Sequence, residues 1–188
     1  MESTQSQMAQ QQNNYALAAQ DASNDADNSQ FLTFQLANEA YGVDILRVQE
    51  IKGWVPVTCI PNTPEYLKGV LNLRGTIVPI IDMRMRFNLE SMEYNAETVI
   101  IVLSVQTGLG ERVVGIVVDS VSDVLSVQTS EIKPSPDFGG SVNTEFIDGL
   151  ATVEEQMVML LDIDKMLSTD ELTHLEAIAE SDMTKDDE

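Results

Sequence analysis

Residues 66–87 read YLKGVLNLRGTIVPIIDMRMRF, an almost continuous apolar run that an Arg-Gly pair interrupts at Arg74 and Gly75. The Val, Ile and Leu residues on both sides of the pair favour β-strands, and a two-residue bend that ends in glycine is typical of a tight hairpin. The last residues, 83–87, predict a short helix that Asp82 can cap. This stretch therefore predicts strand, tight turn, strand and short helix.

Residues 146–167, FIDGLATVEEQMVMLLDIDKML, repeat this pattern without a gap. Aligning Tyr66 with Phe146 places glycine on glycine and aspartate on aspartate: Gly69 on Gly149 and Asp82 on Asp162. Further upstream, GVDILRVQEI from Gly42 aligns with GIVVDSVSDV from Gly115, and FLTFQL (31–36) has a plausible counterpart in VIIVLS (99–104). The chain therefore contains two copies of one β unit, each with the same order of strands.

Short strands avoid exposed edges most completely by curling into barrels, so the sequence predicts a mainly β protein with two small barrels. A unit of roughly 70 residues has a marginal core by itself, so the two units should share an apolar face. Helix is predicted only as short pieces, around PEYLKG after Pro64 and at MRMRF, and as a C-terminal helix over DKMLSTDELTHLEAIAE.

Composition divides the chain into three parts. Residues 1–30 are polar and acidic with few large apolar groups, and we expect them to form a disordered arm. Residues 31–167 form the folded domain, and 168–188 carry the C-terminal helix and an acidic tail. No run approaches the roughly 20 apolar residues of a membrane span, so the default location is the cytoplasm.

Charge and motifs exclude several functions. The net charge of −21 disfavours binding to nucleic acid or to an anionic membrane. The sequence has no phosphate-binding loop, no nucleophile elbow and no zinc-protease motif. The lone Cys59, expected to be buried, and the lone His174 offer neither a disulfide nor a metal site. We therefore predict no catalytic, cofactor or metal site, and a binding module is the function that remains.

The two repeats differ most at the bend, where Arg74-Gly75 of the first copy becomes Glu154-Glu155 in the second. If folding required an arginine at this bend, both copies should carry one. Arg74 is therefore either a solvated turn charge or a partner-facing residue of the first copy. If Arg74 faces a partner, we expect Glu50, from the neighbouring strand region, to hold it.

Four segments of the chain, taken in order, resemble the CheW family of chemotaxis coupling proteins. They are YGVDILRVQEI, IPNTPEYLKGVLNLRGTIVPIIDMRMRF, VVGIVVDSVSDVL and FIDGLATVEEQMVMLLDIDKML. The resemblance implies two SH3-like, five-stranded barrels around a common hydrophobic core, with a groove between them. It also implies a non-catalytic adaptor that joins the cytoplasmic tips of chemoreceptors to the histidine kinase CheA, in arrays at the membrane. The kinase contact would use the CheA regulatory domain, which has the same fold.

The resemblance implies nine partner-binding positions in this sequence: Val48, Glu50, Gly69, Asn72, Arg74, Val99, Gly115, Val121 and Val124. Alternatives stay open at this point. The chain could serve a related pilus or surface-sensing pathway, or carry a small molecule in the groove. It could also derive from CheA or CheV, but the 21 residues after Leu167 leave no room for a kinase or receiver domain.

Overall fold

The computed structural model describes residues 27–136 and 144–167, together with the single position Ala177. Ten strands carry the described fold: β1 (Asn28–Leu36), β2 (Glu39–Asp44), β3 (Val48–Gly53), β4 (Leu67–Leu73), β5 (Thr76–Asp82), β6 (Val99–Thr107), β7 (Gly110–Val118), β8 (Ser120–Gln128), β9 (Ile147–Val153) and β10 (Gln156–Leu161). Two short helices, α1 (Met83–Arg86) and α2 (Ile163–Met166), follow β5 and β10. The chain makes a 3₁₀ turn at Ile45–Arg47 and another at Thr129–Glu131.

The strands form two five-stranded sheets, in the orders β8-β1-β2-β10-β9 and β3-β6-β7-β5-β4. We call them barrel A and barrel B in that order. In barrel B a bridge between Thr58 and Val70 joins the segment after β3 to β4, and in barrel A a bridge between Lys133 and Leu150 joins the segment after β8 to β9. These bridges bring the two ends of each sheet together, and the predicted pair of five-stranded SH3-like barrels is confirmed.

The repeats exchange strands between the barrels. Each barrel takes the first two strands of one copy and the last three of the other, so β1 and β2 lie in barrel A whereas β6 and β7 lie in barrel B. The exchanged strands meet the other copy in two parallel pairs, β2 with β10 and β5 with β7. Leu160 pairs with Gly42 in one and Ile80 with Gly115 in the other, so the repeat alignment holds residue by residue there.

One register prediction was out by a single residue. Phe34 pairs with Val121 on β8, and Leu103 pairs with Val48 on β3. Because Val48 and Val121 are matched positions, Phe34 corresponds to Leu103, and FLTFQL aligns with residues 100–105 instead of 99–104. Propensity alone could not fix this register, since residues 99–103 are continuously apolar and show no alternation to set against that of FLTFQL.

Alternating side chains of the exchanged strands fill three cores. On β6, Ile101, Leu103 and Val105 enter a core shared by the two barrels, whereas Ile100 and Val102 enter the interior of barrel B. On β1, Leu32, Phe34 and Leu36 enter the shared core, which lies against the barrel A interior of Ala40, Val127, Ala151, Val158 and Leu160. Strands buried on both faces explain the continuous apolar runs in the sequence. The prediction of a common hydrophobic core is confirmed.

Asp82 and Asp162 cap α1 and α2 by accepting hydrogen bonds from the backbone N–H groups of Met85 and Lys165, as predicted. Asp82 also accepts one from the hydroxyl of Tyr94, in the segment that joins α1 to β6. Burial and this hydrogen bond raise the pKa of Tyr94, so its hydroxyl remains a donor at neutral pH. The Tyr94 ring packs on Trp54 with 4.2 Å between ring centroids, which fixes the segment against barrel B.

Other expectations need correction. The residues after Pro64 form a turn that leads into β4 at Leu67, without a helix, because their backbone is needed for the hairpin with β5. Cys59 is exposed, since it lies beside the closing bridge at Thr58 and points away from the core. β1 begins at Asn28, so three residues assigned to the arm pair with β8 instead. The C-terminal helix beyond α2 and the rest of the arm lie outside the described residues, apart from Ala177.

Candidate partner-binding surface

Arg74 and Gly75 form the two-residue turn between β4 and β5, with φ values of +53° and +89°. Both values are positive, as the predicted tight hairpin requires, and the side-chain oxygen of Asn72 accepts a hydrogen bond of 2.8 Å from the Gly75 N–H. The matched turn of barrel A has the same conformation at Glu154 and Glu155, with φ values of +47° and +68°. The two turns therefore present different side chains on one backbone shape.

The predicted pairing of Arg74 with Glu50 is present. Nη2 of Arg74 donates to Oε2 of Glu50 over 3.3 Å. The Arg74 side chain is 85% exposed, whereas that of Glu50 is 29% exposed. A carboxylate in the wall of the barrel thus holds a guanidinium that projects into solvent, with donors left for a partner.

Glu50 reaches the turn because β3 bulges beside it. Val48 pairs with Leu103 but Glu50 pairs with Val102, so Gln49 is an extra residue on β3. The bulge points Glu50 into a groove of about 320 Å³. Its lining combines the ion pair with apolar and polar neighbours: Gln49, Glu50, Leu73, Arg74, Thr76, Val78, Val102 and Val113.

The apolar residues predicted for the site lie elsewhere, where the two barrels meet. Val48, Val99 and Val121 are partly buried and pack against the edge of the shared core. Val124 is 44% exposed on β8, paired with Leu32 of that core. We call these four residues the seam. The structure therefore divides the predicted site into a charged surface on barrel B and an apolar seam between the barrels.

Gly69 and Gly115 are buried, and both have a structural reason to be glycine. At Gly69, where φ is +145°, a Cβ atom would lie 2.1 Å from the carbonyl oxygen of Thr58, across the closing bridge of barrel B. At Gly115 a Cβ atom would lie 2.5 Å from Cδ1 of Ile80, on the partner strand of a parallel pair. Both glycines therefore shape the surface from beneath, and any contact they make with a partner stays a prediction.

Ile51 is a residue of this surface that sequence reasoning missed. It is 46% exposed, aligns with Val124 in the repeat, and pairs with Ile101 of the shared core. The repeat alignment contained the signal, because Val124 was selected and its counterpart was not. Leu46, 86% exposed in the 3₁₀ turn before β3, lies close by in sequence, and no motif indicated its exposure.

Among the described residues, two ion pairs join a short helix to a crossover between the barrels, and we call them clamps. In clamp 1, Arg84 of α1 donates two hydrogen bonds of 2.7 and 2.6 Å to Asp119, which also accepts one of 2.9 Å from the N–H of Ala37. In clamp 2, Arg47 donates two of 2.6 and 3.3 Å to Asp164 of α2, which accepts one of 2.7 Å from the N–H of Gln106.

Clamp 1 shifts the protonation of both partners. Its hydrogen bond with Asp119 raises the pKa of Arg84. Burial alone would raise the pKa of Asp119, but the hydrogen bonds from Arg84 and Ala37 outweigh it, and the pKa lies below its usual value. Both side chains are therefore charged at neutral pH.

This arrangement suits recognition. Over residues 27–136 and 144–167, no cluster of three His, Cys, Asp or Glu side chains could hold a metal ion. The same residues contain no helix long and apolar enough to cross a membrane. Arg74 supplies a positioned cation and the seam supplies partly exposed apolar side chains, both of which can bind a protein partner. The fold and the surface define a two-barrel binding module.

The domain matches the family model described as CheW-like domain over residues 30–171. Chemotaxis protein CheW of Klebsiella aerogenes is 51% identical over 152 residues, covering 81% of this chain and 89% of that protein. Chemotaxis protein CheW of Rhizobium meliloti is 36% identical over 142 residues, covering 76% of this chain and 89% of that protein. The chain therefore belongs to the CheW family of chemotaxis scaffold proteins, as its sequence resemblance indicated.

A solved structure agrees with the fold. The crystal structure of the scaffolding protein TtCheW from Thermoanaerobacter tengcongensis superposes with a TM-score of 0.67 at 32% sequence identity. The match covers 74% of this chain and 92% of that one. The two-barrel architecture is thus shared over nearly the whole of the solved chain.

Proposed function

We propose that this protein is a non-catalytic adaptor that couples the cytoplasmic tips of chemoreceptors to the regulatory domain of the histidine kinase CheA. The observation that carries the proposal is the Arg74 turn, where an 85% exposed guanidinium is held by a partly buried carboxylate. Membership of a chemotaxis scaffold family supplies the class of partner. In this proposal the protein works in the cytoplasm and is recruited to receptor arrays.

The charge of Arg74 stands out against its surroundings. The chain has 31 acidic residues against 10 Lys and Arg. An exposed, oriented cation is therefore uncommon on its surface and can contribute to specific recognition by a partner. Arginine is enriched at the energetic centres of protein interfaces, because its planar fork makes several donors available at once. The groove beside it has a mixed polar and apolar lining, against which a partner side chain can pack.

The seam supplies the second element of the proposal. Val48, Val99, Val121 and Val124 come from both barrels, and apolar residues at such a junction suit a partner that contacts the two barrels together. The space behind the seam is filled by the shared core, with Phe34, Leu103 and Ile116 fully buried. This filling favours a surface that docks a protein over a cavity that carries a small molecule.

Replacing Arg74 with Glu tests the proposal. The matched turn already holds glutamates in the same conformation. The free energy of unfolding should therefore change only as for an ordinary surface substitution, by about half a kcal/mol. Glu50 would then face a second carboxylate, and affinity for a receptor fragment or for the kinase domain should fall by about tenfold or more.

The matched control is Glu154→Arg, which changes charge at the equivalent turn of barrel A. We expect it to leave both affinities close to those of the unmodified protein. Unchanged binding of both partners by Arg74→Glu would return Arg74 to the role of a solvated turn charge. A collapsed melting transition would show that Arg74 serves the fold.

A further inference from the structure

The two clamps occupy similar places in the repeat with their charges exchanged, matched on the helix and one position apart on the crossover. Arg84 and Asp164 are the second residues of α1 and α2, and they align in the repeat. Their partners Asp119 and Arg47 lie where the chain crosses between barrels. Asp119 comes two residues before Val121, and Arg47 comes one residue before Val48, the position matched to Val121. The acid therefore lies on the crossover in clamp 1 and on the helix in clamp 2.

The third contact of each clamp is matched as well. Ala37 and Gln106 follow the corresponding residues Leu36 and Val105 on β1 and β6, and each donates its N–H to the acid of its clamp. In both clamps the acidic side chain accepts this hydrogen bond, although the acidic residue lies on the crossover in clamp 1 and on the helix in clamp 2. The three-way contact thus recurs with the charges exchanged, and this architecture contains both polarities.

We propose that the Arg47–Asp164 clamp is a positioning device for partner binding: it sets the orientation of the barrels and thereby the shape of the seam. Asp164 belongs to the helix that follows barrel A, Gln106 lies on β6 of barrel B, and Arg47 lies in the crossover between them. One carboxylate thus joins both barrels and the chain that connects them. The inference rests on the proposed function for its binding readout alone.

The position of clamp 2 explains its effect on the seam. The residue after Arg47 is Val48, the first residue of β3 and a member of the seam. Arg47 also donates to the carbonyl oxygen of Ser104 over 3.3 Å, next to the pair formed by Val48 and Leu103. Releasing Arg47 removes its side-chain bonds to Ser104 of β6 and to Asp164 of α2, so Val48 keeps its strand pair with Leu103 but its neighbour no longer ties β3 to α2.

Exposure distinguishes the two clamps. Arg84 and Asp119 are 15% and 18% exposed, whereas Arg47 and Asp164 are 30% and 31% exposed. Solvent weakens an ion pair as it becomes more accessible, so clamp 1 contributes more to folding and clamp 2 can open in a folded molecule. Clamp 2 is therefore the one that can adjust binding separately from stability.

The test uses Asp164→Asn, which removes the charge but keeps an oxygen for the Gln106 N–H. Residual dipolar couplings of backbone amides, fitted separately for barrels A and B, report the orientation between the barrels without any partner. We expect the fitted orientation to change or to become averaged. Affinity for a chemoreceptor cytoplasmic fragment should fall by about tenfold, a usual size for coupling between sites, while the melting transition stays cooperative.

Two further variants make the test specific. Lys165→Gln removes the neighbouring ion pair with Asp162, which lies within one helix end, and should change neither the orientation nor the affinity. The double variant Arg47→Asp with Asp164→Arg copies the polarity of clamp 1 and should restore both. If Asp164→Asn fails to fold, Arg47→Gln removes the same pair from the crossover side.

The outcomes separate the inference from the proposed function. An unchanged orientation in Asp164→Asn or Arg47→Gln would overturn the inference, as would an equal effect of Lys165→Gln. Rescue of the fitted orientation by the charge exchange would support it, because the dipolar couplings report the geometry of the folded protein and not its stability. If the unmodified protein fails to bind the receptor fragment, the proposed function fails, and the dipolar couplings still decide the positioning role.

Discussion

Arg74 occupies a backbone conformation that arginine adopts at a cost. Its φ of +53° lies in the left-handed region, which asparagine and glycine enter more readily than residues with long side chains. The Asn-Gly pair is the preferred sequence for this kind of turn. An arginine at the first position therefore gives up some stability, as Glu154 does at the matched turn, and the proposed partner role would offset that cost at Arg74.

Replacing Arg74 with Asn should raise the free energy of unfolding by about half a kcal/mol and weaken binding of receptor and kinase fragments. Denaturant titration and affinity measured on one preparation would check the two effects together. Glu154→Asn is the matched control, since it makes the same change at φ +47° in barrel A and should stabilise without a loss of binding. A gain in stability with full binding would contradict the role given to Arg74.

Asp119 gives a residue-scale prediction for pH. Its pKa in the folded protein lies below the usual value, so its contribution to stability is fully present above the unfolded pKa, near 4, and is lost as the pH falls toward the folded value. The stability difference between the unmodified protein and Asp119→Asn should therefore be constant near neutral pH and shrink below about pH 4. Thermal melts across that range would measure it, and a difference that does not change with pH would contradict it.

At the level of residues, the sequence allowed prediction of what the repeat made visible. The contrast between Arg74 and Glu154 identified the turn, and the neighbouring strand position identified Glu50 as its partner. The clamps could not be predicted, because opposite charges occupy the matched positions and each pair joins segments far apart in the chain. Ile51 was missed although its counterpart Val124 was selected.

Gly69 shows how one residue allows an element to close. β4 passes so near the segment at Thr58 that a Cβ atom at position 69 would lie 2.1 Å from a backbone oxygen, and backbone cannot move aside as a side chain can. The matched Gly149 has the same task in barrel A, where a Cβ atom would lie 2.9 Å from the carbonyl oxygen of Lys133. Both barrels thus close over a glycine.

Gly69→Ala should destabilise the protein by about 3 kcal/mol or more, since both the contact and the positive φ oppose the change. Gly75→Ala is the control, with a φ of +89° but open space around its Cβ, and should cost only about 1 kcal/mol. Equilibrium denaturation of the two variants would give the comparison. Equal costs would mean that backbone conformation, and not the close approach to Thr58, determines the choice of glycine.

Strand identity and turn type followed from local sequence, but strand partnership did not. The almost continuous run of Val, Ile and Leu and the Arg-Gly bend predicted the β4–β5 hairpin, because both signals lie within one short stretch. The parallel pairs β2 with β10 and β5 with β7 join opposite copies of the repeat. Two similar copies present equivalent edges, so sequence similarity does not reveal whether a strand pairs within its own copy or with the other.

The exchange of strands makes the whole molecule one cooperative unit. Barrel A lacks two of its five strands without the first copy, and barrel B lacks two of its five without the second. The shared core draws side chains from both copies, including Phe34 and Leu36 from one and Leu103 and Ile116 from the other. Neither copy by itself contains a closed barrel.

A chain divided between Ser91 and Met92 tests this architecture. The cut lies between α1 and β6, outside every strand, and leaves one copy of the repeat on each side. We expect each half alone to lack a cooperative melting transition and dispersed amide resonances, because each would expose the faces that the other covers. Mixed in equal amounts, the halves should recover both signals with a midpoint that rises with concentration, as for any obligate pair.

The matched control is a cut in the turn between β6 and β7, at Gly108 and Leu109, which separates strands unequally but at an equally exposed position. Its longer fragment, residues 1–108, keeps β1 to β6 and loses β7 to β10, so it too should need its complement. A half that melts cooperatively alone, at a temperature independent of concentration, would show that one copy of the repeat can pair its own strands. The exchanged and unexchanged strand pairings would then be close in free energy. Recovery that requires both halves would mean instead that the shared core determines which strands pair.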